Sequence, residues 1–86
     1  MKSSSATVIA ENNQKRGGFD IYLYFSGQRE YLMWHRHNGL LYGLLKDGIK
    51  VSDIQRTAKT QRTYSGMLRY LLTVINEYIA ERECYA

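Results

Sequence analysis

One cysteine, Cys84, stands in a chain of 86 residues, so an intramolecular disulfide is excluded and a reducing compartment is the expectation. Long apolar runs are missing too. The longest, 21–25 and 40–45 with Gly43 inside, fall far short of the ~20 residues that span a bilayer. The N-terminal stretch starts with Lys2 but has no apolar segment of secretory type, because Thr7, Glu11, Asn12 and Asn13 interrupt it. A soluble, cytoplasmic chain without a membrane partner is expected. Catalytic signatures are equally scarce: there is no G-x-S-x-G, no P-loop and no G-x-G-x-x-G, and the glycines are scattered rather than gathered into a phosphate cradle. Cys84 near the chain end has no assured base beside it, and Glu77/Glu81 at helical spacing form a solvated face. His35 and His37 share one side of a strand. Arg36 between them repels a cation, and no C-x-x-C or H-E-x-x-H supplies further ligands. The expectation is a non-enzymatic protein with no cofactor, no metal and no small-molecule substrate.

What is present is the composition of a small folded unit: 44% hydrophobic, 13% aromatic and 23% charged residues. This length allows one domain, 1–86, with a core so limited that a second copy of the chain would relieve it. Residues 6–36 read as strands and a hairpin, 38–60 as short helices and 63–83 as a long helix, with 1–5 and 84–86 fraying. Ala6 to Glu11 is a short strand, NNQKRGG (12–18) a loop, and FDIYLYF (19–25) the strongest strand signal. On its pleat Phe19, Ile21, Leu23 and Phe25 face one way, and Asp20, Tyr22 and Tyr24 the other. Ser26 to Arg29 turns, and Glu30 to Arg36 returns as an antiparallel partner, although a helix there also fits. Its register places either Tyr31, Met33 and His35 or else Leu32, Trp34 and Arg36 beside Tyr22 and Tyr24.

Asn38 is a candidate N-cap for a helix carrying Leu40, Leu41, Leu44 and Leu45, which ends at Gly48 in a Schellman arrangement with Ile49 over Leu44. Ser52 and Gln55 match a capping box for a helix from Asp53 to Lys59. Thr63 caps the last helix, where Tyr64, Met67, Leu68, Leu71, Leu72, Val74, Ile75, Tyr78 and Ile79 fall within an apolar arc of about 160°. So wide an arc covers a sheet on one flank and a neighbouring helix or second subunit on the other. The order, strands then helices, predicts an α+β domain. Its small antiparallel sheet of two or three strands is packed by two short helices and one long amphipathic C-terminal helix.

Charge is distributed unevenly. Residues 46–69 hold Lys46, Lys50, Arg56, Lys59, Arg62 and Arg69 against Asp47 and Asp53, while Glu77, Glu81 and Glu83 outnumber Arg82 near the end. The layout of 44–69, an apolar helix, a glycine turn, a capped short helix and a basic-started helix, resembles a helix-turn-helix DNA-binding unit. That resemblance implies a nucleic-acid partner, DNA or RNA. Arg62, Ser65, Gly66 and Arg69 would then lie toward a groove, and Gln55, Arg56 and Lys59 near the backbone. The nucleic-acid-binding candidates are therefore Arg56, Lys59, Arg62 and Arg69. The competing expectation is a protein-interaction module, a homodimer or an adaptor or inhibitor. Its interface candidates are Tyr22 and Tyr24 on the sheet with Leu72 and Ile79 on the helix arc.

Overall fold

The alternation in FDIYLYF is that of a strand with one buried side. In the computed structural model, which describes residues 6–60, 62 and 65–84 and side chains as far as residue 82, this stretch forms β2 (Phe19–Phe25). β2 pairs antiparallel with β1 (Thr7–Asn12) on one side and β3 (Gln28–His35) on the other. The β2–β3 connection is Ser26-Gly27, with φ of 57° and 76°, so both residues are left-handed as a two-residue type I′ hairpin turn requires. The chain then enters α1 (Gly39–Leu45), whose N-cap Asn38 accepts the Leu41 amide on its side-chain oxygen at 3.0 Å. Gly48, at φ 87°, turns the chain out of α1, and its amide reaches the Leu45 carbonyl at 3.0 Å.

Among the described residues the sheet has four strands, against the two or three expected, in the order β3-β2-β1-β4. The addition is β4 (Ile49–Lys50), two residues that pair with Val8 and Thr7. Ile49 is thus drawn into the sheet. β4 runs straight into α2 (Val51–Thr60), and the Val51 amide donates to the Ala6 carbonyl at 3.0 Å. This corrects the expected capping box. Ser52 lies inside the first turn of α2, and the pairing with β1 supplies the start that Ser52 was expected to provide. The long helix is α3 (Ser65–Cys84). Thr63, expected as its cap, and Tyr64 lie outside the described residues, as do the side chains of Glu83 and Cys84.

The three helices of the described residues pack on one side of the sheet, where Val8, Ala10, Phe19, Ile21, Leu23 and Phe25 are buried. α1 contributes Leu41 and Leu45, α2 contributes Val51, Ile54 and Ala58, and α3 contributes Leu68, Leu71, Ile75 and Ile79. Each fully buried aliphatic of this kind stabilises the fold by about 1.5–3 kcal/mol before chain entropy is subtracted. The wide arc of α3 is filled by the sheet and by α2, which packs against α3. The Tyr78 hydroxyl donates to Glu30 at 2.7 Å and accepts from Arg82 at 2.6 Å, tying α3 to β3. Desolvation, then the bond to Glu30, pushes the Tyr78 phenol above its ordinary value. The result is two layers, and among the described residues no helix lies over the second face of the sheet.

Candidate nucleic-acid interface

Strand register decides what that second face presents. Residues directly opposite one another share a face, so three cross-strand rows can be read off. Lys50, Thr7, Tyr24 and Arg29 form the first, Ile9, Tyr22 and Tyr31 the second, and Glu11, Asp20 and Trp34 the third. Between the second and third rows the β2–β3 register slips: Tyr22 faces Tyr31 while Ile21 faces Met33. Leu32 is the extra residue of a β-bulge, half-buried against the core. Neither expected register holds. Strict alternation puts Tyr31 and Trp34 on opposite faces, whereas the bulge puts both outward and turns Met33 and His35 inward. Tyr22, Tyr24, Tyr31 and Trp34 therefore occupy one face.

The loop between β1 and β2 arranges one end of this surface. The Asn13 side-chain oxygen accepts the Lys15 and Arg16 amides at 3.0 and 2.9 Å, the Asx-turn geometry that a short polar side chain allows. The loop closes through Gly17 and Gly18, both left-handed at φ 77° and 64°. It lies against Trp34: the indole N–H donates to the Gly17 carbonyl at 2.8 Å, and the Arg16 guanidinium sits 3.9 Å over the ring. In the middle of the face the Arg29 guanidinium lies 3.9 Å over Tyr22 and reaches Glu11 at 2.8 Å. The Tyr22 and Tyr31 rings meet edge to face with centroids 5.6 Å apart.

Two kinds of flat surface thus face solvent. Tyr24 and Tyr31 are the more open rings, 40% and 51% exposed, while Trp34 and Tyr22 carry guanidinium groups on top of them. Arg16, Arg29 and Lys50 outnumber Glu11 and Asp20 by a single charge. Both carboxylates are engaged, Glu11 by Arg29 and Asp20 by the Asn13 amide at 3.2 Å. Stacking on π-faces and guanidinium planes is the chemistry this arrangement offers, with modest positive charge around it.

The residues expected from the sequence are divided between the layers. Tyr22 and Tyr24 lie on the outer sheet face. Arg56, Lys59, Arg62 and Arg69 are all exposed on the helical layer, with Arg56 paired to Asp53 one turn away. The break of the helix-turn-helix likeness, expected at Ala58, Lys59 and Thr60, is instead part of α2, and of residues 61–64 Arg62 alone is described. Ile79, expected at an interface, is a core residue at 4% exposure, and Leu72 packs half-buried against that core. A partner cannot meet Ile79, because the sheet and α2 already fill the arc. His35 stacks on Phe19 with centroids 5.3 Å apart and its Nδ1 donates to the Arg36 carbonyl at 2.7 Å, while His37 is exposed.

Tyr31, Trp34, Arg16 and Lys50 were not singled out from the sequence as site residues. The bulge that aligns the first two has no local signature, and Lys50 joins the face only through the two-residue β4. Asn13 with Gly17-Gly18 was the readable hint that the loop folds tightly enough to carry Arg16 over a strand. On the helical side, a cleft of about 280 Å³ opens between Met33, His35, Leu41, Met67 and Tyr70. Its lining is apolar apart from the His35 and Tyr70 tips. Among the described residues no helix is long and apolar enough to cross a membrane, and no group of three His, Cys, Asp or Glu side chains is placed to hold a metal ion. Comparison with protein-family models, with curated proteins and with solved structures finds no significant match.

Proposed function

We propose that the protein is a non-enzymatic nucleic-acid-binding module that works through the outer face of its sheet. The observation that carries this reading is the bulge at Leu32, which gathers Tyr31 and Trp34 with Tyr22 and Tyr24 on a face left open by the helices. Bulges recur where a strand must re-aim a side chain, and here the re-aimed residue is the one tryptophan. The basic helical surface of Arg56, Lys59, Arg62 and Arg69 is the competing site for the same ligand class. Titration of labelled mixed DNA and RNA separates the two. With the sheet face in use, Tyr24→Ala with Tyr31→Ala weakens binding at least tenfold, from about 1–3 kcal/mol per lost stack. In that case Arg62→Ala with Arg69→Ala changes affinity little. The reverse pattern moves the site to the helices, and no binding at about 50 mM salt discards the function.

A second reading, self-association through the same face, is favoured by one observation: Tyr31 is half exposed on β3, which forms an edge of the sheet. Sedimentation of the free chain decides it. A dimer broken by Tyr24→Ser supports this reading, and a monomer at high concentration removes it.

A further inference from the structure

Resting on the reading above, we infer that the ligand of the outer sheet face is a single-stranded nucleic acid and not a duplex. Spacing is the first argument. Tyr22 and Tyr24 lie two residues apart on β2, about 6.7 Å along the strand. Bases in a duplex are stacked about 3.4 Å apart along each strand. Neighbouring bases must therefore separate to roughly twice that distance before one meets the Tyr24 ring and the next the Arg29 guanidinium over Tyr22, which an unpaired strand does and a paired one does not.

Shape is the second argument. A duplex offers base edges in its grooves, and edges are read by free hydrogen-bonding groups. On this face several such groups are already engaged: Arg29 is bound to Glu11, Asp20 to Asn13, and the Trp34 N–H to Gly17. The largest surfaces left open are flat: the rings of Tyr24 and Tyr31, and the guanidinium groups riding on Trp34 and Tyr22. Flat surfaces take base faces, which a duplex keeps inside its own stack.

Charge is the third. A duplex carries one negative charge per about 1.7 Å of its axis, and a face that also displays Glu11 and Asp20 holds too few cations to match it. An extended single strand brings fewer phosphates per length. The first and third cross-strand rows, Tyr24 to Asp20 along β2, are about 13 Å apart, room for two or three splayed nucleotides. Trp34 is already held by Gly17 and Arg16, so little ordering is required when the strand arrives.

The test measures fluorescence anisotropy of one labelled mixed-sequence strand of about 12 nucleotides, alone and annealed to its complement, at about 50 mM salt. The expected result is binding of the strand at least tenfold tighter than the duplex. Tyr31→Ala is expected to weaken strand binding about fivefold or more, and Tyr31→Phe, which keeps the ring, to restore it. Circular dichroism of each variant confirms that these exposed positions leave the fold intact. Duplex bound as tightly as the strand overturns the inference while the nucleic-acid reading stands. Strand binding indifferent to both Tyr31→Ala and Tyr24→Ala overturns the assignment to this face. Failure of both probes to bind removes the inference and the proposed function together.

Discussion

Gly18 shows how closely one position can be constrained. Its φ of 64° disfavours a side chain, and a Cβ placed there would lie 2.3 Å from the His35 carbonyl oxygen and 3.0 Å from the Trp34 ring. The contact is with backbone, so no rotamer change relieves it. Gly18→Ala is expected to lower stability by about 1–3 kcal/mol through strain alone, read as a reduced midpoint in urea unfolding. The same substitution pushes the loop off Trp34 and, under the proposed function, is expected to weaken nucleic-acid binding. Gly17, equally left-handed, has nothing within 4 Å of its Cβ position, so Gly17→Ala carries conformational strain without the clash. An equal effect of both substitutions on binding would show that the approach to Trp34 is irrelevant to the face.

At the scale of elements, the β2–β3 hairpin uses Ser26 where the backbone is left-handed, a conformation serine tolerates poorly. Asn-Gly is the pair that a type I′ turn prefers. Ser26→Asn is expected to raise stability by about 0.5–1 kcal/mol, seen as a higher melting temperature with the bound state unaffected. Elements also separate what could be read in advance from what could not. β2 was legible because its alternation is local, and α3 because its apolar period runs over five turns or so. β3 was legible only as one of two readings, because a helix also fits Glu30 to Arg36. Its faces were not, since a bulge depends on how Leu32 packs against distant core residues rather than on its neighbours in sequence. Two-residue β4 carries too little pattern to be seen. The capping-box pattern of Ser52 and Gln55 was overridden by pairing with β1, a contact between residues more than forty positions apart.

For the molecule as a whole, the two candidate surfaces lie on different layers and differ in kind. The helical layer offers Arg56, Lys59, Arg62 and Arg69 with few exposed rings, whereas the sheet offers rings with Arg16, Arg29 and Lys50 around them. That contrast sets the salt dependence. About three phosphate contacts on a single strand give a slope near −2, a loss of about 20-fold between roughly 50 and 200 mM salt. About four contacts from the helices on duplex give a slope near −3.6 and a loss of about 150-fold. The shallow slope is expected, and a steep one would move the site to the helical layer. The clustering of helical cations in 46–69 was readable because it follows sequence order. The sheet surface was readable only at Tyr22 and Tyr24, since Arg16, Arg29, Trp34 and Lys50 come from three segments, the β1–β2 loop, β3 and β4, that meet only in the fold.

Trp34, the chain's single tryptophan, also gives the open face an optical signal of its own. Its indole hydrogen-bonds the Gly17 carbonyl beneath a guanidinium, so whatever lifts Arg16 or shields the ring alters the light it emits, with no dye attached. Occupancy of the sheet is therefore visible in the native emission spectrum, against a helical layer that, among the described residues, has no chromophore of that kind.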